Sequence, residues 1–290
     1  MEDLPLNPGD AVLFLFSLIG HTGAMSEKCI LAIDVGNTRF KFGVFERADS
    51  TASEAKLPAC VASISVPVAG DPDWGTITAH FDKWSATLAQ AAIAGANPAG
   101  VERVISGWPN GIWPAPVAVR RAAELPLRVN LEFPDKVGID RLLDAVAANV
   151  LRTPADAAIV VDAGTATTVN YISAEGAFEG GAILPGIELG ARALHQYTAL
   201  LPQIDGRSLV LNPVKPLGLN TPGAIASGLW FGQVGAVREL VTRLSEPAIR
   251  PPLLLVTGGN GRWLARALGP SARFEPDLAL RGLAIVAQSQ

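Results

Sequence analysis

Two stretches of this chain end an apolar run on an aspartate and follow it with a glycine and a group of polar side chains. Ile30 to Phe45 contains Asp34, Gly36, Asn37 and Thr38, and Ala157 to Ile172 contains Asp162, Gly164, Thr165, Thr167 and Thr168. A hairpin with such a tip can hold a phosphate. The glycine permits close backbone approach or a positive φ, the amide and hydroxyls supply donors, and a carboxylate at a strand end can hold a hydrated cation. One such motif reads equally well as an ordinary hairpin with a polar turn. The Asp-x-Gly spacing recurs about 128 positions later, however, which points to an internal duplication and two similar half-molecules facing one another. Two turns closing on a polyphosphate from opposite sides, one holding a cation and the other the phosphates, suit phosphoryl transfer, in which positioning and charge neutralisation supply most of the catalysis.

A third motif, Gly138-Ile139-Asp140-Arg141, opens a helical pattern. Backbone N–H groups at a helix start favour an anionic ligand, Arg141 can pair with a carboxylate, and Asp140 can accept a hydroxyl proton. A capping aspartate beside a surface arginine would look the same. Gly258-Gly259, after an apolar run and before a helical one, could let a ligand lie against backbone, although Gly-Gly also marks plain turns.

The elements that must carry these motifs follow from periodicity. Strands are expected on both sides of each Asp-x-Gly turn, at Cys60 to Val68, Val101 to Ser106 and Leu127 to Leu131, over Gly180 to Gly186 before its turn, and at Pro251 to Thr257. Helices are expected at Trp74 to Ala94, Val117 to Glu124, Ile139 to Leu151, Ile187 to Thr198, Ala224 to Leu244, Gly261 to Leu268 and Asp277 to Gln288. Thr221 serves as N-cap of the long helix, with Pro222 at its first position. Ala48 to Lys56 and Pro134 to Gly138 read as loops, and Pro202 to Pro216 as a surface segment.

The chain has 290 residues, 49% hydrophobic and 17% charged, enough for two medium domains with real cores. A net charge of −4 and the lack of a dense Lys/Arg cluster exclude an electrostatic footprint for nucleic acid. Cys29 and Cys60 sit in apolar sequence as reduced core side chains, and His21, His80 and His195 are isolated, so no zinc site is readable. Ala11 to Gly20 is too short for a bilayer, which needs about twenty residues, and acidic residues precede it, against a signal peptide. Met25 is the expected natural start, with residues 1–27 a flexible extension, 28–152 an N-terminal lobe and 153–290 a C-terminal lobe.

Taken in order, Asp34-Val-Gly-Asn-Thr38 with Gly43, Gly138-x-Asp-Arg141, Asp162-x-Gly-Thr-Ala-Thr-Thr168, Gly180-Gly-x-Ile-x-Pro-Gly186, Asn220-Thr221 with Ser227-Gly228, and Thr257-Gly-Gly259 resemble type III pantothenate kinase. The resemblance covers Ile30 to the C-terminus. It implies an α/β fold of two tandem ribonuclease-H-like, actin-like lobes with mixed sheets flanked by helices. It also implies transfer of the ATP γ-phosphate to pantothenate, the first step of coenzyme A synthesis, by a cytoplasmic homodimer with neither nucleic acid nor membrane as partner. On that resemblance Asp34, Val35, Gly36, Asn37, Thr38, Arg39, Phe40 and Lys41 would bind the ATP phosphates with Mg²⁺ near Asp34, and Thr165 would also contact ATP. Asp162 would bind a monovalent cation, K⁺ or NH₄⁺. Gly138, Ile139, Asp140 and Arg141 would bind pantothenate, with Asp140 the proton acceptor from its primary alcohol, and Thr221 would touch the same substrate.

Three positions depart from the family pattern. Leu131 stands where a tyrosine is usual, Asn170 where an aspartate commonly follows the second threonine cluster, and Ser106-Gly-Trp-Pro109 replaces the usual Ser-Ser-Val-Val-Pro. The first removes a substrate-pocket contact and the second one negative charge near the cation site. They keep two rival readings open: an actin-like kinase for another small hydroxyl compound, and a non-catalytic nucleotide-binding regulator, against which Asp140 argues.

Overall fold

The computed structural model describes residues 29–47 and 57–289. The expectations for the chain before Cys29, with its apolar run, His21 and Met25, and for Ala48 to Lys56 lie outside the described residues.

Two five-stranded sheets form the frame. In the first, β1 (Cys29–Val35), β2 (Arg39–Glu46), β3 (Cys60–Pro67), β4 (Leu88–Ala94) and β5 (Pro116–Ala118) take the order β3-β2-β1-β4-β5. In the second, β6 (Ala158–Ala163), β7 (Ala166–Ile172), β8 (Phe178–Pro185), β9 (Leu253–Thr257) and β10 (Ala272–Phe274) take the order β10-β9-β6-β7-β8. Read from its hairpin side, each sheet has two antiparallel pairings followed by two parallel ones. The topology is therefore the same twice, as the duplicated motif predicts, and each sheet is ribonuclease-H-like. The central strands β1 and β6 are near-continuous apolar runs because helices cover both faces.

The outer face of the first sheet carries α1 (Trp74–Ser85) and α2 (Pro98–Ser106), packed on Leu31, Ile33, Phe40 and Phe42. The outer face of the second carries α6 (Thr221–Ser245) and α7 (Gly261–Leu268), packed on Ile159, Val161 and Val169. Between the sheets lie α3 (Ile139–Leu151) and α8 (Leu278–Gln288), which pack on each other. Gly282 of α8 touches the Leu143 backbone, an approach that any side chain would block. Helix α3 also packs on β6 and β7, whereas α8, from the end of the chain, packs on β1, β2 and β4. Each inner sheet face is thus covered partly by a helix encoded in the other half. Helices α4 (Ile187–Gln196) and α5 (Gly206–Leu211) flank α6.

The structure corrects several sequence expectations. Trp74 to Ala94 is not one helix: it stops at Ser85, Thr87 bonds back to the Trp84 carbonyl, and Leu88–Ala94 becomes β4. The alanines of β4 favour a helix alone, but parallel pairing with β1 overrides that preference. Val101 to Ser106 is helical, as part of α2, because Asn97 caps it and Pro98 opens it; the Asn97 side chain accepts from Gly100 N–H at 3.0 Å. Val117 to Glu124 is not a helix but edge strand β5 and a 3-10 turn, Ala122–Glu124. Leu127 to Leu131 makes one bridge, Val129 to Phe178, and no strand. The cap of α6 is Asn220, whose side chain accepts from Gly223 N–H at 2.8 Å, and Thr221 is the first helical residue. The short strand β10, and α5 inside the Pro202 to Pro216 segment, were not anticipated.

Candidate active site

The two Asp-x-Gly turns meet. The Thr38 and Thr165 hydroxyl oxygens lie 3.2 Å apart, one hydrogen bond across the cleft between the sheets. Asp34 and Asp162 stand at equivalent places, near the ends of the central strands that lead into the turns. Each turn is closed by its glycine N–H, Gly36 to the Arg39 carbonyl and Gly164 to the Ala166 carbonyl, both at 3.0 Å. The first turn is one residue longer, since Val35 pairs with Phe40 but Ala163 with Thr167.

Within Asp34 to Lys41 the side chains divide. Val35 and Phe40 are core residues. Arg39 turns to β3, its Nε donating to Ser65 Oγ and a terminal nitrogen to the Ser65 carbonyl, both at 2.6 Å. Val35 and Phe40 therefore offer a phosphate no side-chain donor. Asn37 and Thr38 are exposed at the tip. Lys41 lies opposite Asp34 in the β1–β2 register, with Nζ 3.8 Å from Asp34 Oδ2. In the second lobe the residue opposite Asp162 is Thr168.

Helix α3 brings in the third motif. Gly138 is its N-cap, and Asp140 Oδ1 accepts from Arg141 N–H at 2.9 Å. The Asp140 charge raises the pKa of both Asp34 and Asp162, so the carboxylate sits within electrostatic reach of both turns. Arg141 is partly buried, and its Nε donates to Asn170 Oδ1 at 2.8 Å. Thr221 is not joined to this group. It is exposed at the rim of an apolar groove of about 800 Å³ between α4 and α6 whose lining includes none of Gly138 to Arg141. The groove adjoins the second turn through Gly186, whose N–H donates to the Thr165 carbonyl at 3.0 Å.

The Thr257-Gly258-Gly259 loop lies against the second turn. Gly258 has φ +88°, and any Cβ there would strike the Asp162 carboxylate and the Ala163 backbone. Asn260 N–H donates to the Ala163 carbonyl at 2.9 Å. Gly259 faces open space. Leu131, in place of the expected tyrosine, is partly buried and packs against the central core beside Gly180.

Sequence reasoning missed one charged residue here. Asp144 is one turn beyond Asp140 on the same face of α3, 1% exposed, and neither carboxylate oxygen has a hydrogen-bond partner among the described residues. An aspartate inside the apolar run Leu142 to Ala148 was the available signal. Burial, reinforced by Asp162 and Asp140, raises its pKa well above the carboxylate range. Burial also pushes Asp34 up to about 6 against the pull of Lys41, and raises Asp162 in the same way. Burial alone would lower Lys41, but the surrounding carboxylates, Asp34 first, hold it above the ordinary lysine value. The cleft is therefore short of positive charge, and a polyphosphate needs cations to enter it. Among the described residues no three Asp, Glu, His or Cys side chains form a ready metal-ligand set.

Comparison with known proteins agrees with this geometry. The family model for type III pantothenate kinase matches residues 30–243. A type III pantothenate kinase of Dehalococcoides mccartyi strain 195 is 32% identical over 281 residues, covering 91% of this chain and 98% of the relative. One from Desulfosudis oleivorans is 33% identical over 278 residues, covering 90% and 99%. A crystal structure described as a Baf family transcriptional activator from Campylobacter jejuni superposes with a TM-score of 0.54 at 18% identity, covering 89% of this chain and 98% of the other, and shares the fold. With duplicated ribonuclease-H-like sheets, paired Asp-x-Gly turns and a Gly-x-Asp-Arg helix start, this chain belongs to the type III pantothenate kinase family and has its alcohol-phosphorylating kinase activity.

Proposed function

We propose that the cleft between the two turns is where ATP phosphorylates pantothenate, with Asp140 as general base. The observation that carries this reading is the contact of Thr38 with Thr165, which brings both turns around one space within electrostatic reach of Asp140. Backbone N–H groups at the tip of the Asp34 to Lys41 segment, the Asn37 and Thr38 side chains, Lys41 and Thr165 hold the phosphates. Asp34 would hold Mg²⁺ and Asp162 a monovalent cation, K⁺ or NH₄⁺, which would supply the charge neutralisation that the phosphates need. Gly138 to Arg141 orient the acceptor, Arg141 pairing with its carboxylate, and Thr221 meets its far end from the α6 rim.

In the transfer, the primary hydroxyl of pantothenate gives its proton to the Asp140 carboxylate as its oxygen bonds the γ-phosphorus. The bond from that phosphorus to the β–γ bridging oxygen breaks, and ADP leaves. Holding the two reactants in line across the closed turns supplies much of the rate. Residues 28–152 and 153–290 act as the two jaws, with α3 and α8 packed between them.

The enzyme works as a homodimer in the cytoplasm, without nucleic acid or membrane as partner. In support of the dimer, apolar side chains such as Leu189, Tyr197, Leu200 and Phe231 are exposed on and beside α4 and α6. No described helix is long and apolar enough to cross a membrane.

A second acceptor is favoured by one observation, the apolar Leu131 packed against the core where a pocket hydroxyl is expected. Pantothenate-dependent ADP release with Mg²⁺ and K⁺ present is the deciding assay. Turnover of pantothenate is expected; turnover only of a different small alcohol would replace pantothenate in this reading.

A further inference from the structure

Asn170 invites an expectation about the cation beside Asp162, but its side chain is committed elsewhere. It is fully buried, its Oδ1 accepts the Arg141 Nε–H at 2.8 Å, and its Nδ2 donates to Thr168 Oγ1 at 3.0 Å. The second bond matters to the first. Because the Thr168 hydroxyl takes the amide N–H, the oxygen is the end presented to the guanidinium.

Arg141 makes no other side-chain hydrogen bond among the described residues, and its guanidinium lies 5.5 Å from the Phe178 ring centroid. An arginine has five N–H donors in a rigid fork. Anchoring Nε on a neutral amide, with an aromatic ring beside the guanidinium, settles the orientation of the fork without cancelling its charge. Both terminal nitrogens stay available for a bidentate anionic partner.

We propose that Asn170 is a positioning residue for the acceptor: the Thr168–Asn170 pair aims the Arg141 guanidinium at the acceptor carboxylate and so sets selectivity for acidic over uncharged alcohols. The inference rests on the reading of Arg141 as the carboxylate-binding group. It makes Asn170 a determinant of the acceptor side of the cleft, joined to the second turn by Thr168 at the strand position opposite Asp162.

The test compares pantothenate with pantothenyl alcohol, the same molecule with its carboxylate replaced by a hydroxymethyl group, at saturating ATP. Asn170→Leu is expected to raise the pantothenate KM about tenfold, with kcat and the ATP KM within about threefold of wild type and the KM for the alcohol little changed. Asn170→Asp keeps an acceptor for Arg141 Nε but pairs its charge and loses the bond to Thr168, so the pantothenate KM is expected to rise by less than in Asn170→Leu and not to return to the wild-type value. An equal loss for both substrates would mean a merely structural role and would overturn the proposal, as would unchanged selectivity in Asn170→Leu. If Asn170→Leu does not fold, Thr168→Val frees the amide to turn and should move selectivity in the same direction by a smaller factor. The anchor itself is read without substrate from the ¹⁵N spectrum, with the Arg141 Nε–H signal assigned by its disappearance in Arg141→Lys. Slow solvent exchange of that proton, lost in Asn170→Leu and kept in Asn170→Asp, supports the anchor; no change in Asn170→Leu refutes it. A wild-type enzyme inactive on pantothenate yet showing the protected proton would count against the acceptor reading and not against the anchor.

Discussion

The two Asp-x-Gly turns occupy the same place in the same sheet topology, yet the residue across the hairpin from each aspartate differs. Asp34 faces Lys41 at 3.8 Å, and Asp162 faces Thr168. The first turn therefore carries its own cation and suits a phosphate group, which Lys41 can also reach from a side chain that is one-third exposed. The second has a partly buried carboxylate with a neutral hydroxyl opposite it in register, and under the proposed function a cation from solution complements it. One duplicated scaffold thus yields two unlike half-sites, through a different residue opposite the aspartate and a second turn one residue shorter.

Asp140 acts on both halves, so its loss should have the largest effect. Asp140→Asn is expected to lower turnover by about 10³-fold while ATP binding, followed with a fluorescent ATP analogue, stays within a few-fold of wild type. Activity near wild type in that variant would remove Asp140 from the mechanism and leave the clamp without a base.

Next in size is the pH response of the ligand-free protein. Asp34, Asp144 and Asp162 all have folded-state pKa values above those of an unfolded chain. The native state therefore binds more protons than the unfolded state, and stability rises as pH falls from above 6 toward 4. For Asp34 alone, moving from 3.8 to about 6 is worth about 3 kcal/mol. Urea denaturation at pH 7.5 and pH 5 should show greater stability at pH 5, and Asp144→Asn should reduce the difference. Equal stability at both values would show that the carboxylates are solvated in the cleft.

The contrast between the turns is tested most directly by exchanging their charges. Lys41→Met is expected to weaken ATP binding by about tenfold, because Asp34 is left without its partner beside the phosphates. An unchanged ATP affinity would mean that Lys41 serves only to neutralise Asp34. The smallest expected effect comes from the reverse change. Thr168→Lys tethers an ammonium across from Asp162, and the K⁺ stimulation proposed for the wild type should disappear, read at saturating pantothenate because the same change removes the Thr168 hydroxyl that holds Asn170. Persistent K⁺ stimulation in that variant would place the cation elsewhere.

Comparison of sequence expectation with structure is instructive where the two part. Helices α3 and α7 lie where the pattern predicts, because a glycine or Gly-Gly start and apolar residues at helical spacing are written locally. Strand β4 was misread because Leu88 to Ala94 has helical composition, and only its seat beside β1 makes it a strand. Asp144 went unnoticed because a single acidic residue in a helix is unremarkable until burial strips its partners away. Asn170 was read as a missing charge near a cation, whereas its partner is an arginine 29 positions away.

By itself the sequence determined the family, the duplicated hairpins, the start of α3 and the identity of the acidic and basic groups, since each depends on residue type and short spacing. The tertiary structure alone decided that Thr38 meets Thr165, that α8 from the chain end seals the first sheet, that Asp144 joins Asp140, and that Arg141 is anchored by Asn170. Those facts depend on strand register and on contacts between residues far apart in the chain, where burial and cross-strand pairing, not local preference, set the outcome.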